Sequence, residues 1–325
     1  MPERNTDAGR EGKILLAEAF HPLAIRRLEQ RFAVSLAAST DEDYLIEAID
    51  GFDALIVRSI QVSGRLLEAS TTLRIVGRHG VGVENIDTAT ADRLGIKVLN
   101  APGANAEAVA EFVLATAVLL TRRILEASGA LRHGELRGEG SLPATVEASS
   151  LLGNGLAETA VAVVGLGAIG GLVAGRMAAA GAAVRAYDPF VDRAYPGVAV
   201  TSTLEEALEG AALLTLHAPL TSSTIGLIGR GELESLSPGA AVVNTARSRL
   251  IDRAALLDAL DRGRVGQAVI DTFDREPPPS DDPLLLHPRI LATPHIAGLT
   301  QESVQAMSQQ IATAVGQELY RLGFD

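Results

Sequence analysis

The residues with the clearest chemical meaning begin at Gly165-x-Gly167-x-x-Gly170. This pattern follows the unbroken apolar run Ala160 to Val164 and opens directly onto a helical pattern, Ala168 to Ala180. The first glycine permits a tight turn, the second lets backbone approach a pyrophosphate, and the third lets helix and strand pack closely. A helix starting there presents the unpaired amides of Ala168 and Ile169, and a positive dipole end, to phosphates. A second strand, Ala183 to Tyr187, ends at Asp188, 18 residues beyond Gly170. A carboxylate at roughly 20 residues' spacing grips ribose hydroxyls. Asp188 is followed by Pro189 and Phe190 with no Arg directly after it, which favours NAD over NADP.

Three further residues lie at or just beyond strand ends. Arg247 follows the strand ending Asn244-Thr-Ala, Glu276 follows Asp271-Thr-Phe-Asp-Arg, and His295 follows Leu291-Ala-Thr-Pro. In doubly wound sheets such positions converge on one crevice. Arg offers a planar fork for a carboxylate and the adjacent carbonyl. His exchanges a proton near neutral pH, and a carboxylate beside it holds the ring and favours its charged form. Together they suit interconversion of a 2-hydroxy acid and a 2-keto acid against a nicotinamide. Each residue alone also has a structural reading: a surface charge, a loop acid before Pro277, and one structural histidine among six.

At 325 residues the chain is long enough for two domains with substantial cores. A net charge of −12 argues against broad phosphate-backbone binding, so no nucleic-acid partner is expected. Without cysteine there is no disulfide, thiolate metal site or cysteine nucleophile; no metal is expected. Met1 to Gly12 is polar, lacks the apolar core of a signal peptide and reads as a loose tail. The apolar run Val109 to Leu120 is broken by Glu111 and too short to span a bilayer. A soluble, cytoplasmic protein without a membrane partner is expected.

The elements that must position these residues alternate between strand and helix. Strands are expected at Lys13–Glu18, Ala33–Ala37, Ala54–Arg58, Leu73–Val76 and Ile96–Leu99, with helices between them. Asp41 is a plausible cap for the helix that runs to Asp50. A long apolar helix, Ala106–Leu125, follows the turn-forming stretch Asn100 to Asn105, and Leu131 to Leu156 reads as a surface arm. From Ala160 a second series begins, with later strands near Val198–Thr201, Ala212–Leu216, Ala240–Thr245, Gly266–Ile270 and Ile290–Ala292. A last helix, Gln301–Leu322, is expected to return to the first domain. The fold class is therefore α/β with two doubly wound parallel sheets. Residues 1–103 and 298–325 would form a flavodoxin-like substrate domain split in sequence, and 104–297 a Rossmann NAD-binding domain.

The ordered motifs resemble the D-isomer-specific 2-hydroxyacid dehydrogenase family, which includes phosphoglycerate, formate and D-lactate dehydrogenases and glyoxylate/hydroxypyruvate reductases, and are phosphoglycerate dehydrogenase-like. The likeness runs through Gly80-Val-Gly-Val-Glu-Asn-Ile-Asp87, Val164-Gly-Leu-Gly-Ala-Ile-Gly170 and His217-Ala-Pro-Leu-Thr221. It continues through Asn244-Thr-Ala-Arg-Ser-Arg-Leu-Ile-Asp252, Asp271-Thr-Phe-Asp-Arg-Glu-Pro277 and Thr293-Pro-His-Ile296. The resemblance implies that Arg247 holds the substrate carboxylate and carbonyl, that His295 is the acid/base and that Glu276 is its partner. It implies that Asp271 hydrogen-bonds the nicotinamide carboxamide and Asp188 the adenine-side ribose. His217, Pro219, Thr245 and Ala246 would line the cofactor crevice, with His217 a wall and not a second base. The amides around Val81 and Gly82 would close on the substrate carboxylate, through domain closure across residues 100–105 and near Ala297. Two departures stand out: Ser248 where glycine usually follows the arginine, and Glu84 where aspartate is commoner.

Arg58, Ser59, Arg78 and His79 flank the expected substrate loop. They could serve a phosphate or second carboxylate, or equally be solvated charges and core-edge residues. The implied substrates are therefore 3-phosphoglycerate-like acids or glyoxylate and hydroxypyruvate. The sequence ends at Asp325, and the regulatory domain some phosphoglycerate dehydrogenases append is expected to be absent. A homodimer is implied, with the Ala106–Leu125 helix and the following segment contributing. The alternative reading is an NAD-sensing binding protein of the C-terminal-binding corepressor type.

Overall fold

The computed structural model describes residues 10–137, 141–157, 159–191 and 193–324. The expected N-terminal tail lies outside them except for Arg10 to Gly12, and part of the expected surface arm does too. The chain divides into two compact units, residues 1–105 with 300–325, and residues 106–299.

In the first stretch β1 (Lys13–Leu16), α1 (Pro22–Glu29), β2 (Ala33–Leu36), α2 (Glu42–Ala48) and β3 (Ala54–Val57) alternate. They are followed by α3 (Gly64–Glu68), β4 (Ile75–Arg78), α4 (Thr88–Leu94) and β5 (Lys97–Leu99). All ladders are parallel and the sheet order is β2-β1-β3-β4-β5, the flavodoxin-like arrangement. Fully buried β3 reads Ala-Leu-Ile-Val, as a strand covered on both faces must. Asp41 caps α2, its Oδ1 accepting from the amides of Asp43 and Tyr44. β4 begins two residues later than expected. The amides of Thr72 and Leu73 turn to Ser70 Oγ, and only Arg74 and Ile75 reach across to the Asp53 carbonyl.

The second unit opens with α5 (Ala106–Thr121), α6 (Ile124–Arg132) and α7 (Leu142–Glu147). The expected single helix to Leu125 is broken because Arg123 adopts a left-handed backbone, φ 51°. Its guanidinium bonds Glu126 and the Ser150 carbonyl, contacts that no sequence period encodes. The sheet follows with β6 (Ala160–Val164), α8 (Ala168–Ala179), β7 (Ala183–Tyr187), β8 (Val198–Val200), α9 (Leu204–Leu208) and β9 (Leu213–Leu216). It ends with α10 (Arg230–Ser235), β10 (Ala240–Asn244), α11 (Arg253–Asp261), β11 (Val265–Ile270), α12 (Pro283–Leu286) and β12 (Ile290–Ala292). The order β12-β11-β10-β9-β6-β7-β8 is a Rossmann sheet with one strand added at its far edge. Val161 and Val163 face the core shared with α5 and α8, whereas Ala162 and Val164 face the core under α9 to α12.

The last helix, α13 (Gln301–Arg321), belongs to the first unit, where Ile311, Val315, Leu319 and Phe324 share a core with Ile14, Leu28 and Ile75. Among the described residues no helix is long and apolar enough to cross a membrane.

Candidate active site

The glycine turn is built as its spacing requires. Gly165 has φ 92° and lies so near the next strand that a Cβ would meet the backbone of His217 and Ala218 at about 2.7 Å. A Cβ on Gly170 would lie 1.8 Å from the Gly165 carbonyl oxygen. Gly167, by contrast, faces open space, with no atom within 4 Å of where its Cβ would be. It is the N-cap of α8 and gives the helix no side-chain cap, so the exposed amides that follow remain available to an anion. Asp188 bends back toward this turn, its Oδ2 accepting from the Leu166 amide at 2.7 Å and its Oδ1 from Phe190 N at 2.9 Å. Tyr195 braces the same residue, donating to the Leu166 carbonyl at 2.8 Å.

Packed against this turn, His217 follows directly on β9. Its partly buried ring bonds Thr215 Oγ1 at 2.9 Å, and burial pulls its pKa down to about 3. A histidine so placed stays neutral at physiological pH. Pro219 is exposed on the same loop. At the end of β10 the Thr245 hydroxyl is buried with no partner among the described residues, an orphan a bound ligand would satisfy. Open glycine backbone, uncapped helix amides, the turned-in carboxylate and the orphan hydroxyl together fit a dinucleotide.

Asn244 and Asp271, both fully buried, end adjacent strands and hold the turns beyond them. Asn244 donates from Nδ2 to the Arg247 carbonyl at 2.9 Å and accepts the Ala246 amide on Oδ1 at 3.1 Å. That fixes the start of the short 3-10 turn Ser248–Leu250, with Arg247 as its cap. The Ser248 hydroxyl donates to Asp274, linking the arginine turn to the loop that carries Glu276. The Asp271 carboxylate, expected opposite a carboxamide, accepts from Thr293 Oγ1 and from the amides of Ile296 and Ala297.

Glu276 and His295 meet. Glu276 Oε2 lies 2.9 Å from His295 Nδ1, while its Oε1 accepts the Phe273 amide at 3.0 Å, so the carboxylate is oriented from both ends. Nδ1 therefore carries the proton donated to Glu276, and Nε2 has no partner among the described residues. His295 holds φ 54°, a left-handed backbone costing a residue with a Cβ about 1–2 kcal/mol. Half of its side chain is exposed.

In the first unit the expected substrate residues lie at the carboxyl ends of β3 and β4. Glu18, which the sequence reading passed over, organises them. Its Oε2 accepts the amides of Arg58 at 2.6 Å, Ser59 at 2.7 Å and Ile60 at 3.2 Å, and Ser59 Oγ donates to its Oε1. These bonds hold the Glu18 carboxyl below the usual carboxylate range against the opposing effect of burial. The signal was available in principle: Glu18 lies just past β1, beside β3 at the point where this strand order reverses. The loop 80–87 is held by Asn100 Nδ2 on the Val81 carbonyl and Asn85 Nδ2 on the Ile60 carbonyl, both at 2.6 Å. The amides of Val81 and Gly82 donate to none of the described residues. His79 is 4% exposed, edge-on to Phe20, with Nε2 2.9 Å from Ser308 Oγ. Burial, then Arg58 and Arg78, push its pKa down.

Fold and site define a dinucleotide-binding protein of the Rossmann class with a hydrogen-bonded Glu276–His295 pair beyond its strand ends. Residues 114–297 match the model of the family described as D-isomer specific 2-hydroxyacid dehydrogenase, NAD binding domain. The chain is 36% identical over 296 residues to a D-3-phosphoglycerate dehydrogenase of Archaeoglobus fulgidus, covering 90% of this chain and 54% of that one. To the Bacillus subtilis D-3-phosphoglycerate dehydrogenase it is 38% identical over 267 residues, 81% of this chain and 49% of the other. Among solved structures, an NADPH-dependent glyoxylate/hydroxypyruvate reductase of Sinorhizobium meliloti, crystallised with NADP and malonate, superposes with TM-score 0.80 and 26% identity. That match covers 95% of this chain and 94% of the other. The chain belongs to the D-isomer specific 2-hydroxyacid dehydrogenase family and carries its NAD-binding domain. It spans about half the length of the phosphoglycerate dehydrogenases it matches.

Proposed function

We propose that this protein is an NAD-dependent oxidoreductase interconverting a small D-2-hydroxy acid and its 2-keto acid, with His295, Glu276 and Arg247 as its catalytic residues. The observation that carries the reading is the His295–Glu276 pair, with Nδ1 fixed on the carboxylate at 2.9 Å and Nε2 facing away from it. In the reduction direction Nε2 gives its proton to the substrate's carbonyl oxygen, and in oxidation it takes the hydroxyl proton back. Glu276 steadies the charged ring while it carries that proton. Arg247 presents its fork to the substrate carboxylate, and the amides of Val81 and Gly82 are anion donors of the first unit. Gly165, Gly167, Ala168, Ile169 and Gly170 take the pyrophosphate, Asp188 the ribose, and Thr245, Ala246, His217 and Pro219 the crevice walls. A bound nicotinamide dinucleotide supplies the two-electron redox step.

The phosphoglycerate dehydrogenase relatives support 3-phosphoglycerate as substrate, and the reductase neighbour supports glyoxylate or hydroxypyruvate. Arg58, on the loop that Glu18 holds, is the cation best placed within its unit to receive a phosphate. Self-association into a homodimer belongs to the same reading. Ile124, Leu125, Leu131, Leu142 and Leu152 are exposed along α6, α7 and the segment beyond, an apolar surface suited to a second copy. A cytoplasmic location also belongs to it, supported by a chain without cysteine.

The test is NADH consumption with glyoxylate, hydroxypyruvate, pyruvate and phosphohydroxypyruvate, with NADPH in parallel. Turnover of one acid at least tenfold above the others establishes the enzyme and its substrate class. NADH binding without turnover of any 2-keto acid would overturn the enzymatic reading in favour of a sensor.

A further inference from the structure

The Asp271 carboxylate is fully buried at the end of β11, yet no described cation accompanies it. Its partners all belong to the turn that carries His295. Thr293 Oγ1 donates to Oδ1 at 2.6 Å, Ile296 N donates to Oδ1 at 2.9 Å, and Ala297 N donates to Oδ2 at 2.9 Å. The donors bracket His295 on both sides along the chain. Between them the His295 amide folds back onto the Thr293 carbonyl at 3.0 Å, and the backbone passes through φ 54°. A left-handed residue with a Cβ persists only where its surroundings over-determine it. Here three hydrogen bonds to one charged group provide that constraint.

We infer that Asp271 is a positioning residue for His295: it clamps the 293–297 turn in the left-handed conformation that delivers Nδ1 to Glu276. Its effect on turnover rests on the dehydrogenase reading; its effect on the turn does not. Asn244 provides the internal comparison, because it braces the Arg247 turn in the same way from the neighbouring strand. Asparagine at 271 would keep the shape and one acceptor oxygen but turn an NH2 group toward a backbone amide. Asp271→Asn should therefore release one side of the clamp while the strand stays paired.

The test compares full-length wild type, Asp271→Asn and Thr293→Val, the last removing one clamp donor far more gently. Amide exchange at Ile296 and Ala297, and the HN–Hα coupling of His295, report the turn without any turnover. In Asp271→Asn exchange at both amides should rise at least tenfold and the coupling should leave its left-handed value, with Thr293→Val moving the same way by less. Turnover should fall about a hundredfold in Asp271→Asn with the KM for NADH within twofold. The same fall should appear with the 3-acetylpyridine analogue of the cofactor, whose ring carries no amide NH2. Unchanged exchange and coupling in both variants would overturn the inference. So would a turnover loss that disappears with the acetylpyridine analogue, which would assign Asp271 to the carboxamide. If the wild type itself reduces no keto acid, the oxidoreductase reading fails, and exchange and coupling still decide the clamp.

Discussion

The two parallel sheets reverse their strand order at equivalent places and treat those places oppositely. In the seven-stranded sheet the reversal lies between β6 and β9, and what stands there is backbone: an open glycine turn and an uncapped helix end. In the five-stranded sheet it lies between β1 and β3, where the chain's own carboxylate, Glu18, already fills the three amides of residues 58–60. Crevices outside a switch point are where open α/β sheets take ligands. One is left for an exogenous anion, and the other is spent on fixing a loop. A shared architecture thus yields a cofactor pocket in one unit and an internally braced loop in the other.

The sharpest break in that contrast is chemical. His295→Ala should cut turnover by about 10²–10⁴-fold, the usual worth of a positioned acid/base group, while NADH affinity by fluorescence titration stays nearly constant. A variant that keeps its rate would remove the histidine from the chemistry. Arg247→Lys comes next: losing a two-pronged charged contact worth about 1.5–3 kcal/mol should lower kcat/KM for the keto acid by roughly 10–100-fold. Equal kinetics in the two proteins would count against the assignment.

Gly167→Ala isolates the open switch point. Its Cβ has space in the fold, so the melting temperature should hold, but the methyl stands where a pyrophosphate would approach. NADH affinity should drop about tenfold, some 1.4 kcal/mol; a matching drop in stability instead would mean that the glycine serves the fold. Glu18→Ala empties the filled switch point. The melting temperature should fall by several degrees, since partly buried amides lose a charged acceptor worth about 1.5–3 kcal/mol. Inorganic phosphate at tens of millimolar should restore part of the loss, and no rescue would show that the vacated amides do not form an anion site.

The remaining effect is the pH dependence from His217. Its folded pKa, about 3, lies below the ordinary 6.5, so acidification protonates the unfolded chain first. Stability from this residue is complete above pH 6.5 and declines as pH falls from there toward 3. His217→Asn should flatten part of that slope in melting curves taken from pH 7 to 4.5.

Much of this was legible before any coordinates. The glycine spacing, the run of β-branched residues before it and the acid 18 residues after Gly170 dictate local geometry, so sequence reading reaches them directly. Arg247, Glu276 and His295 lie at or beyond strand ends, but the ordered family motifs were what set them apart from ordinary surface charges and the other histidines. The clamps did not. Glu18 acts on amides about 40 residues away, and Asn244 works with a side chain that looks like ordinary strand-end punctuation. His79 finds its partner in Ser308, 229 residues along the chain. The break at Arg123 likewise depends on a carbonyl supplied by Ser150. Pattern carries periodicity and turn chemistry; it does not carry which polar group a fold will use as an internal brace.

The core shared by Ile14, Ile75, Ile311 and Val315 also orders events during synthesis. Gly77 in β4 sits so close to α13 that a Cβ there would lie 2.8 Å from Val315, so this sheet is shaped to receive that helix. Its strands leave the ribosome before the nucleotide-binding unit is made, whereas the helix that covers them emerges after it. The nucleotide-binding unit, continuous in sequence, can close while translation proceeds. The unit whose strands precede the nucleotide-binding unit therefore finishes folding after it, and its apolar sheet face depends on other protection until the turns of α13 arrive.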